Sequence, residues 1–321
     1  MNILVTNDDG YQAKGIRVLA EMMRRYGDVY VVAPKTHQSG MSMAVSLGFK
    51  AIRYKEIMSE PGICIHEGEK DTFRQEGKVQ DRESDGCTAK GSLTVAYLDA
   101  TPASCVKYAL DSDVSGWPVP DVVVSGINHG SNAASASCYS GTLGAAQEAA
   151  LCGIPAIGVS LDTLNPEADF SAVEKYFPGI FRKLTDNIRP DSSGGKGTGA
   201  GYGIYYNVNF PDMPVEKIRG IRIGHQGKGH WIKEFTDWNP SFYSRHGITP
   251  EMLGQESSPV CGEGEKLYMM VGTFVDDPRN DSRADHHLMQ DGYISIVAHN
   301  IDTTDYAETA RLGSLGFDTD F

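Results

Sequence analysis

An α/β fold, with a mostly parallel sheet and helices on both faces, is predicted by three observations. Short Val/Ile-rich runs alternate with helical patterns over the first 160 residues. Those runs are apolar almost throughout, as strands covered on both faces are. Beyond residue 204 the runs are separated by irregular polar stretches, which predicts a strand-rich C-terminal extension.

The elements follow in order. Residues 2–7 (N-I-L-V-T-N) read as a strand that stops at polar residues. Residues 13–26 put Ile16, Leu19, Ala20 and Met23 on one helical face, with Arg17, Glu21, Arg24 and Arg25 elsewhere. Residues 29–33 (V-Y-V-V-A) form a second strand closed by Pro34. Residues 66–91 are highly charged and almost free of aliphatics, and read as a solvated surface insertion. Thr101-Pro102 has the order of an N-cap and a first-turn proline, opening a helix through Leu110. Residues 121–125 (D-V-V-V-S) are a strand bounded by Gly126. The 141–151 helix ends before Gly153, a C-cap glycine. Residues 155–161 read as a strand and 170–188 as an amphipathic helix.

The stretch 192–203 (S-S-G-G-K-G-T-G-A-G-Y-G) looks like a phosphate-cradling loop. It lacks the G-K-[ST] order and does not run from a strand into a helix, so it reads as a flexible connector. Residues 204–210, 221–224, 267–271 and 293–298 are strand-like, and 304–312 are helical. The expected organisation is an α/β core over 1–190 and a strand-rich half over 204–321 that completes the fold and a subunit interface. Exposed strand edges in that half need cover, which a second copy can supply.

Composition narrows the function. The chain has 321 residues, 40% hydrophobic, and a net charge of −13. An acidic chain is poorly suited to duplex nucleic acid, which calls for a cationic surface. No apolar run is long enough to cross a membrane. The N-terminus has no basic leader segment, so a cytoplasmic location is expected. Six scattered cysteines without a C-x-x-C pair read as reduced thiols.

Candidate chemistry gathers where the core strands end. In open parallel sheets, ligands bind beyond the strands' carboxyl ends, near the switch in strand order. There this chain has N-D-D-G (7–10), P-K-T-H-Q-S-G (34–40), S-G-I-N-H-G-S-N (125–132) and Y-S-G-T (139–142). Asp8 and Asp9 are adjacent anions, which repel unless a cation lies near. A hard divalent cation, Mg²⁺ or Mn²⁺, is the natural partner for oxygen ligands, with Ser39 and Asn128 completing the shell. A simple D-D-G turn is the plainer alternative. Ser140, Gly141 and Thr142 open a helix whose unpaired N–H groups suit a phosphate, or else Ser140 is only an N-cap.

His129 lies in the 128–132 segment, either near the substrate or in a supporting role. His286-His287 and His225…His230 lack acids at helical offsets and read as surface or core residues. G-x-S-x-G, H-E-x-x-H and Walker sequences are absent. The carboxylates after the first strand disfavour a dinucleotide pyrophosphate there.

Together T-N-D-D-G (6–10), V-V-A-P…Q-S-G (31–40), V-V-S-G-I-N-x-G-x-N (123–132), Y-S-G-T-x-x-A-A-x-E (139–148) and P-A-I-G-V-S (155–160) resemble the SurE family of survival-protein nucleotidases. T-P-A-S-C-V (101–106), N-V-N-F-P-D (207–212) and D-G-Y-I-S (291–295) are weaker echoes. The resemblance implies a Rossmann-like core, a metal-dependent phosphatase acting on nucleoside 5′- and 3′-monophosphates, and a homodimer or homotetramer. It implies one divalent cation at Asp8, Asp9, Ser39 and Asn128, with Asp8 and Asp9 catalytic. The phosphate region it implies is Asn132 and Ser140 to Thr142. The chain departs from the family pattern at Ala100 and Ser104, at Val297-Ala298-His299, and in the length of 66–91 and of 232–265. Two other readings remain: an aspartyl-phosphate phosphatase using Asp8, whose usual D-x-D spacing is absent, and a nucleotide-sensing module without turnover.

Overall fold

The computed structural model describes residues 1–48, 50–66, 87–165, 167–187, 203–239, 241–242, 249–250, 256 and 259–315. The glycine-rich stretch before Gly203 and most of the charged insertion lie outside the described residues.

The chain runs β1 (Asn2–Thr6), α1 (Lys14–Met23), β2 (Asp28–Pro34), β3 (Tyr54–Glu60), β4 (Ile63–His66), β5 (Cys87–Lys90) and β6 (Leu93–Leu98). It continues with α2 (Pro102–Leu110), α3 (Ser112–Ser115), β7 (Val122–His129), α4 (Gly141–Leu151), β8 (Ala156–Leu161) and α5 (Ser171–Asp186). Then come β9 (Ile204–Phe210), β10 (Gly220–Ile223), β11 (Gly229–Ile232), β12 (Phe235–Asp237), β13 (Tyr268–Met270) and β14 (Thr273–Asp276). The last elements are α6 (Asp285–Gln290), β15 (Tyr293–Asn300) and α7 (Tyr306–Gly313).

Nine strands form the main sheet in the order β10-β15-β9-β8-β7-β1-β2-β6-β3. The six from β9 to β6 are mutually parallel. β3 closes one edge antiparallel to β6, and β15 pairs antiparallel with β9 at the other side. β10 adds parallel to β15. Side-chain alternation divides the core between two faces. Ile3 and Val5 of β1 pack with Ile16, Leu19 and Met23 of α1 and with Phe177 and Phe181 of α5. Leu4, between them, faces Val106 of α2 and Ala145, Ala146 and Ala149 of α4. Helices therefore cover both faces, as a parallel sheet of Val/Ile runs requires. The alanine-rich face of α4 lets it lie close over the sheet.

The structure corrects several expectations. The strand expected to stop at Gly126 runs on to His129, through a register shift between Ser125 and Asn128. Gly126 allows this: its φ is +137°, and a β-carbon there would meet the Val159 carbonyl oxygen at 2.2 Å. Asn128 and His129 are thus strand residues. Residues 87–90 of the charged insertion pair with β4 as an antiparallel ladder and are not irregular. Cys64, on β4, is disulfide-bonded, while Cys105, Cys138, Cys152 and Cys261 are free. A search for closely spaced pairs misses bonds between distant positions. Disulfides persist chiefly in oxidising compartments, so this bond and a reducing cytoplasm pull in opposite directions. Thr101 precedes α2, but its side chain does not cap the helix; its hydroxyl meets Ser104 Oγ at 2.9 Å.

Candidate functional site

Chain order reverses where β1 lies between β2 and β7. The chain leaves β1 for β2 on one side and returns from β6 to β7 on the other, so a crevice opens beyond the strand ends there. The N-D-D-G turn after β1 is held by Asn7: its Nδ2 donates to the Gly10 carbonyl at 3.0 Å, and its Oδ1 accepts from the Gly10 N–H at 3.2 Å. This local bonding fixes the two following carboxylates. Gln38 N–H donates to the Asp8 carbonyl at 2.7 Å, which draws the loop after β2 onto the same rim.

Asp8 is buried, with 3% of its surface exposed. Its Oδ1 accepts from Thr142 Oγ1 at 2.5 Å. The first turn of α4 lies directly on it: a β-carbon at Gly141 would be 2.8 Å from Asp8 Cβ and 2.9 Å from its Oδ2. Asp9 sits between two histidines. His129 donates its backbone N–H to Asp9 Oδ2 at 3.1 Å, and His129 Nδ1 lies 3.2 Å from the same oxygen. His37 Nδ1 is 3.4 Å from Oδ1.

The two carboxylates diverge electrostatically. Burial and the neighbouring Asp9 charge push Asp8 up to about 6, with the Thr142 hydrogen bond opposing. Burial also pushes Asp9 up, but hydrogen bonds from His129 and His37 and their charge outweigh it and hold Asp9 low. Burial pulls His37 down, and the Asp9 hydrogen bond and charge reverse that, raising it.

The other expected residues fall into three groups. Asn128, buried at the end of β7, donates Nδ2 to the Gly130 carbonyl at 2.7 Å. Ser39 is exposed, one residue past Gln38. Ser140 is the N-cap of α4, accepting from Leu143 N–H at 3.0 Å, which leaves its own hydroxyl proton to donate. Thr142 spends its hydroxyl on Asp8, so its backbone N–H is what remains for a ligand. Asn132 faces a buried amide network rather than Asp8. Its Nδ2 donates to Ser160 Oγ at 2.9 Å, its N–H to Asn209 Oδ1 at 2.9 Å, and its carbonyl accepts from Asn207 at 2.9 Å.

Three supporting groups escaped the sequence reading. His37 stands two residues before Ser39, a short offset that could have flagged it. The 207–209 asparagines alternate with apolar residues on β9, an inward polar row that could have flagged the network. Asp285 gave no local signal. Fully buried, it accepts from the N–H of Ala134 at 3.0 and 3.1 Å, from Gly227 at 2.9 Å and from His286 at 2.9 Å. It thereby pins the 131–138 segment that leads into α4. Asp285→Ala leaves those buried donors unpaired and is expected to cost about 3 kcal/mol or more, read as a fall in the urea midpoint.

The Asp8 carboxylate held by Thr142 and the Asp9 carboxylate between His37 and His129 make a donor set chemically suited to a hard divalent cation beside an anion-binding helix start. His129 Nε2 is buried near Asp9 without a hydrogen-bond partner, which leaves a polar atom there for a ligand or water.

Similarity to known proteins agrees with this geometry. The family described as Survival protein SurE matches residues 3–233. The chain is 34% identical over 303 residues to 5′-nucleotidase SurE of Christiangramia forsetii, covering 94% of this chain and 92% of that one. It is 33% identical over 319 residues to 5′-nucleotidase SurE of Cytophaga hutchinsonii, covering 99% and 97%. A crystal structure of the SurE protein from Aquifex aeolicus shares the fold, with a TM-score of 0.64 at 22% identity, over 98% of this chain and all of that one. A buried Asp8–Asp9 pair at the strand-order reversal and a family match over most of the chain lead to one assignment: the chain belongs to the SurE family.

Proposed function

We propose that this chain is a metal-dependent 5′-nucleotidase that hydrolyses nucleoside 5′-monophosphates, and also 3′-monophosphates, to nucleoside and phosphate. The reading is carried by the buried adjacent carboxylates with the N-terminus of α4 against them. The relatives' printed activity supports it.

Asp8, Asp9, Ser39 and Asn128 are the residues we assign to one Mg²⁺ or Mn²⁺. When bound, such a cation supplies Lewis acidity toward a phosphoryl oxygen and toward a water. Thr142 fixes the Asp8 carboxylate, and His37 and His129 fix that of Asp9. The α4 N–H groups at Gly141 and Thr142, with the Ser140 hydroxyl, bind the phosphoryl oxygens as charge builds on them. Asn132, braced by Ser160, Asn207 and Asn209, closes the phosphate region. The attacking water's proton passes to the Asp8–Asp9 pair.

A phosphate-release panel tests the reading, using nucleoside 5′- and 3′-monophosphates and p-nitrophenyl phosphate. EDTA is expected to abolish release, and Mg²⁺ or Mn²⁺ to restore it. Release that EDTA leaves untouched overturns the metal assignment, and a trapped phosphoaspartate moves the mechanism to Asp8 as nucleophile.

Self-association belongs to the same proposal. Phe235, Met270, Tyr268 and Trp231 are exposed apolar side chains on the short strands β11 to β13. A homodimer or homotetramer covering them is the expected state, so the 204–321 half both completes the fold and forms the interface with the 1–190 core of its own chain behind it. A monomer in light scattering at micromolar concentration contradicts this. A membrane partner is not part of the proposal: no helix among the described residues is long and apolar enough to cross one.

A further inference from the structure

In the sequence His286 and His287 read as surface or core residues without acids at helical offsets, and the structure gives them an acidic companion. The acid comes from a neighbouring strand and not from a helical offset. Asp276, the last residue of β14, faces the first turn of α6. His286 Nε2 lies 2.9 Å from Asp276 Oδ1, and His287 Nε2 lies 2.7 Å from Asp276 Oδ2. One ligand atom from each of the three lies within 4.8 Å of the others.

The remote ring nitrogen of His287 fixes how that ring presents Nε2 to Asp276. His287 Nδ1 is 2.8 Å from the Asp281 carbonyl oxygen, which can only accept. Nδ1 therefore carries the proton, and a neutral ring turns its Nε2 lone pair toward Asp276. His286 Nδ1 is buried without a hydrogen-bond partner, with Asp285 Oδ1 3.5 Å away. The carbonyl behind the His287 ring is a usual backing of a metal-ligating histidine. Both Nε2 atoms therefore converge on the two oxygens of one carboxylate, where ring protons or a metal ion can sit between them. Asn280 Nδ2 also donates to Asp276 Oδ1 at 2.6 Å, which orients the carboxylate.

We propose that Asp276, His286 and His287 form a second metal site, separate from the Asp8–Asp9 centre, for a divalent transition-metal ion of the zinc class. Two imidazoles and one carboxylate favour Zn²⁺, Co²⁺ or Ni²⁺ over Mg²⁺. Ligand atoms on a tetrahedral ion with bonds of about 2.1 Å stand ~3.3 Å apart. The half-exposed Asp276 carboxylate reaches that spacing by opening about 0.5 Å, with water in the remaining position. The ion ties the β11–β14 hairpin to α6. That helix carries Asp285, which holds Ala134, and Met289, whose Sδ is 3.8 Å from Ser131 Oγ. The tie therefore reaches the segment leading into α4. The inference does not depend on the nucleotidase reading.

The test uses the full chain with Asp8→Asn and Asp9→Asn, stripped with chelator and titrated with Co²⁺ and Zn²⁺. Equilibrium dialysis and the visible Co²⁺ band report binding. The expected result is one ion per chain at micromolar concentration and a higher melting temperature with Zn²⁺. Adding His287→Gln or the exposed Asp276→Asn is expected to weaken binding at least about tenfold and remove the Zn²⁺-dependent rise. If the double variant fails to fold, the wild-type chain in millimolar Mg²⁺ serves instead, because Mg²⁺ fills an oxygen site and leaves a nitrogen site open. No Co²⁺ or Zn²⁺ bound above background overturns the proposal, and so does binding undiminished by both Asp276→Asn and His287→Gln.

Discussion

Asp8→Asn is expected to lower metal-dependent phosphate release about 1000-fold while making the metal-free chain more stable. The loss follows from removing one charged ligand. Metal stabilisation of a phosphoryl transition state amounts to several kcal/mol, and each ~1.4 kcal/mol is tenfold in rate. The gain in stability follows from the direction of the Asp8 shift. Its folded value, about 6, lies above the ordinary 3.8. A carboxylate raised on folding costs stability at neutral pH, and the cost fades as pH falls from about 6 toward 3.8. Asp9, held low by its histidines, acts oppositely and supports the fold above the ordinary carboxylate range. In EDTA at pH 7.5, Asp8→Asn should melt a few degrees higher than wild type, since each ~1 kcal/mol moves a chain of this size by roughly 1.5 °C. That advantage should shrink at pH 5. Near wild-type turnover, or a lower melting temperature at pH 7.5, contradicts the role assigned to Asp8.

Gly141→Ala should cost about 100-fold in kcat, the scale of losing one preorganised donor, through the addition of a single methyl group. The new β-carbon would stand 2.8 Å from Asp8 Cβ, closer than unbonded carbons approach. Either α4 moves outward, withdrawing the N–H groups of Gly141 and Thr142, or Asp8 rotates and loses Thr142. Both outcomes damage the same rim. In a helix interior, Gly→Ala usually stabilises by about 0.4–1 kcal/mol; here the melting temperature should fall. Unchanged kcat with a higher melting temperature would show that α4 has slack against Asp8.

The parts of this architecture legible in the sequence are those whose local pattern and tertiary role coincide. β9 and α4 have the bounds that periodicity predicts, and Ser140 caps α4 as expected, because burial on a two-sided sheet writes itself into adjacent residues. β3 is different. Tyr54–Glu60 is exposed along its length and mixes charged with apolar residues, as edge strands do, so no alternating apolar pattern marks it. β6, which alternates buried and half-buried residues, was missed beside the insertion. The strand through Gly126 was cut short because a glycine usually ends a run, and only the neighbouring Val159 explains its presence inside one. At the site, the order of N-D-D-G, Y-S-G-T and the 123–132 segment was readable, because each follows a strand or opens a helix. The grip of His37 and His129 on Asp9, the Asn132–Asn207–Asn209 network and the Asp276–His286–His287 cluster join residues tens to more than a hundred positions apart or on separate elements. Local pattern could flag His37 and the 207–209 asparagines as candidates, but not the partners they meet.

The sheet order has a consequence for synthesis. β9 sits between β8 and β15, and β15 ends at Asn300. Until that strand leaves the ribosome, the inner half of the sheet has a bare edge. The segment leading into α4 also lacks Asp285, made more than a hundred residues after Ala134. Contacts so distant along the chain form slowly and leave intermediates prone to association. The carboxylate pair made first is thus completed by residues made nearly last. A nascent chain stopped short of residue 300 should be handled by chaperones as unfinished, however many of its rim residues it already contains.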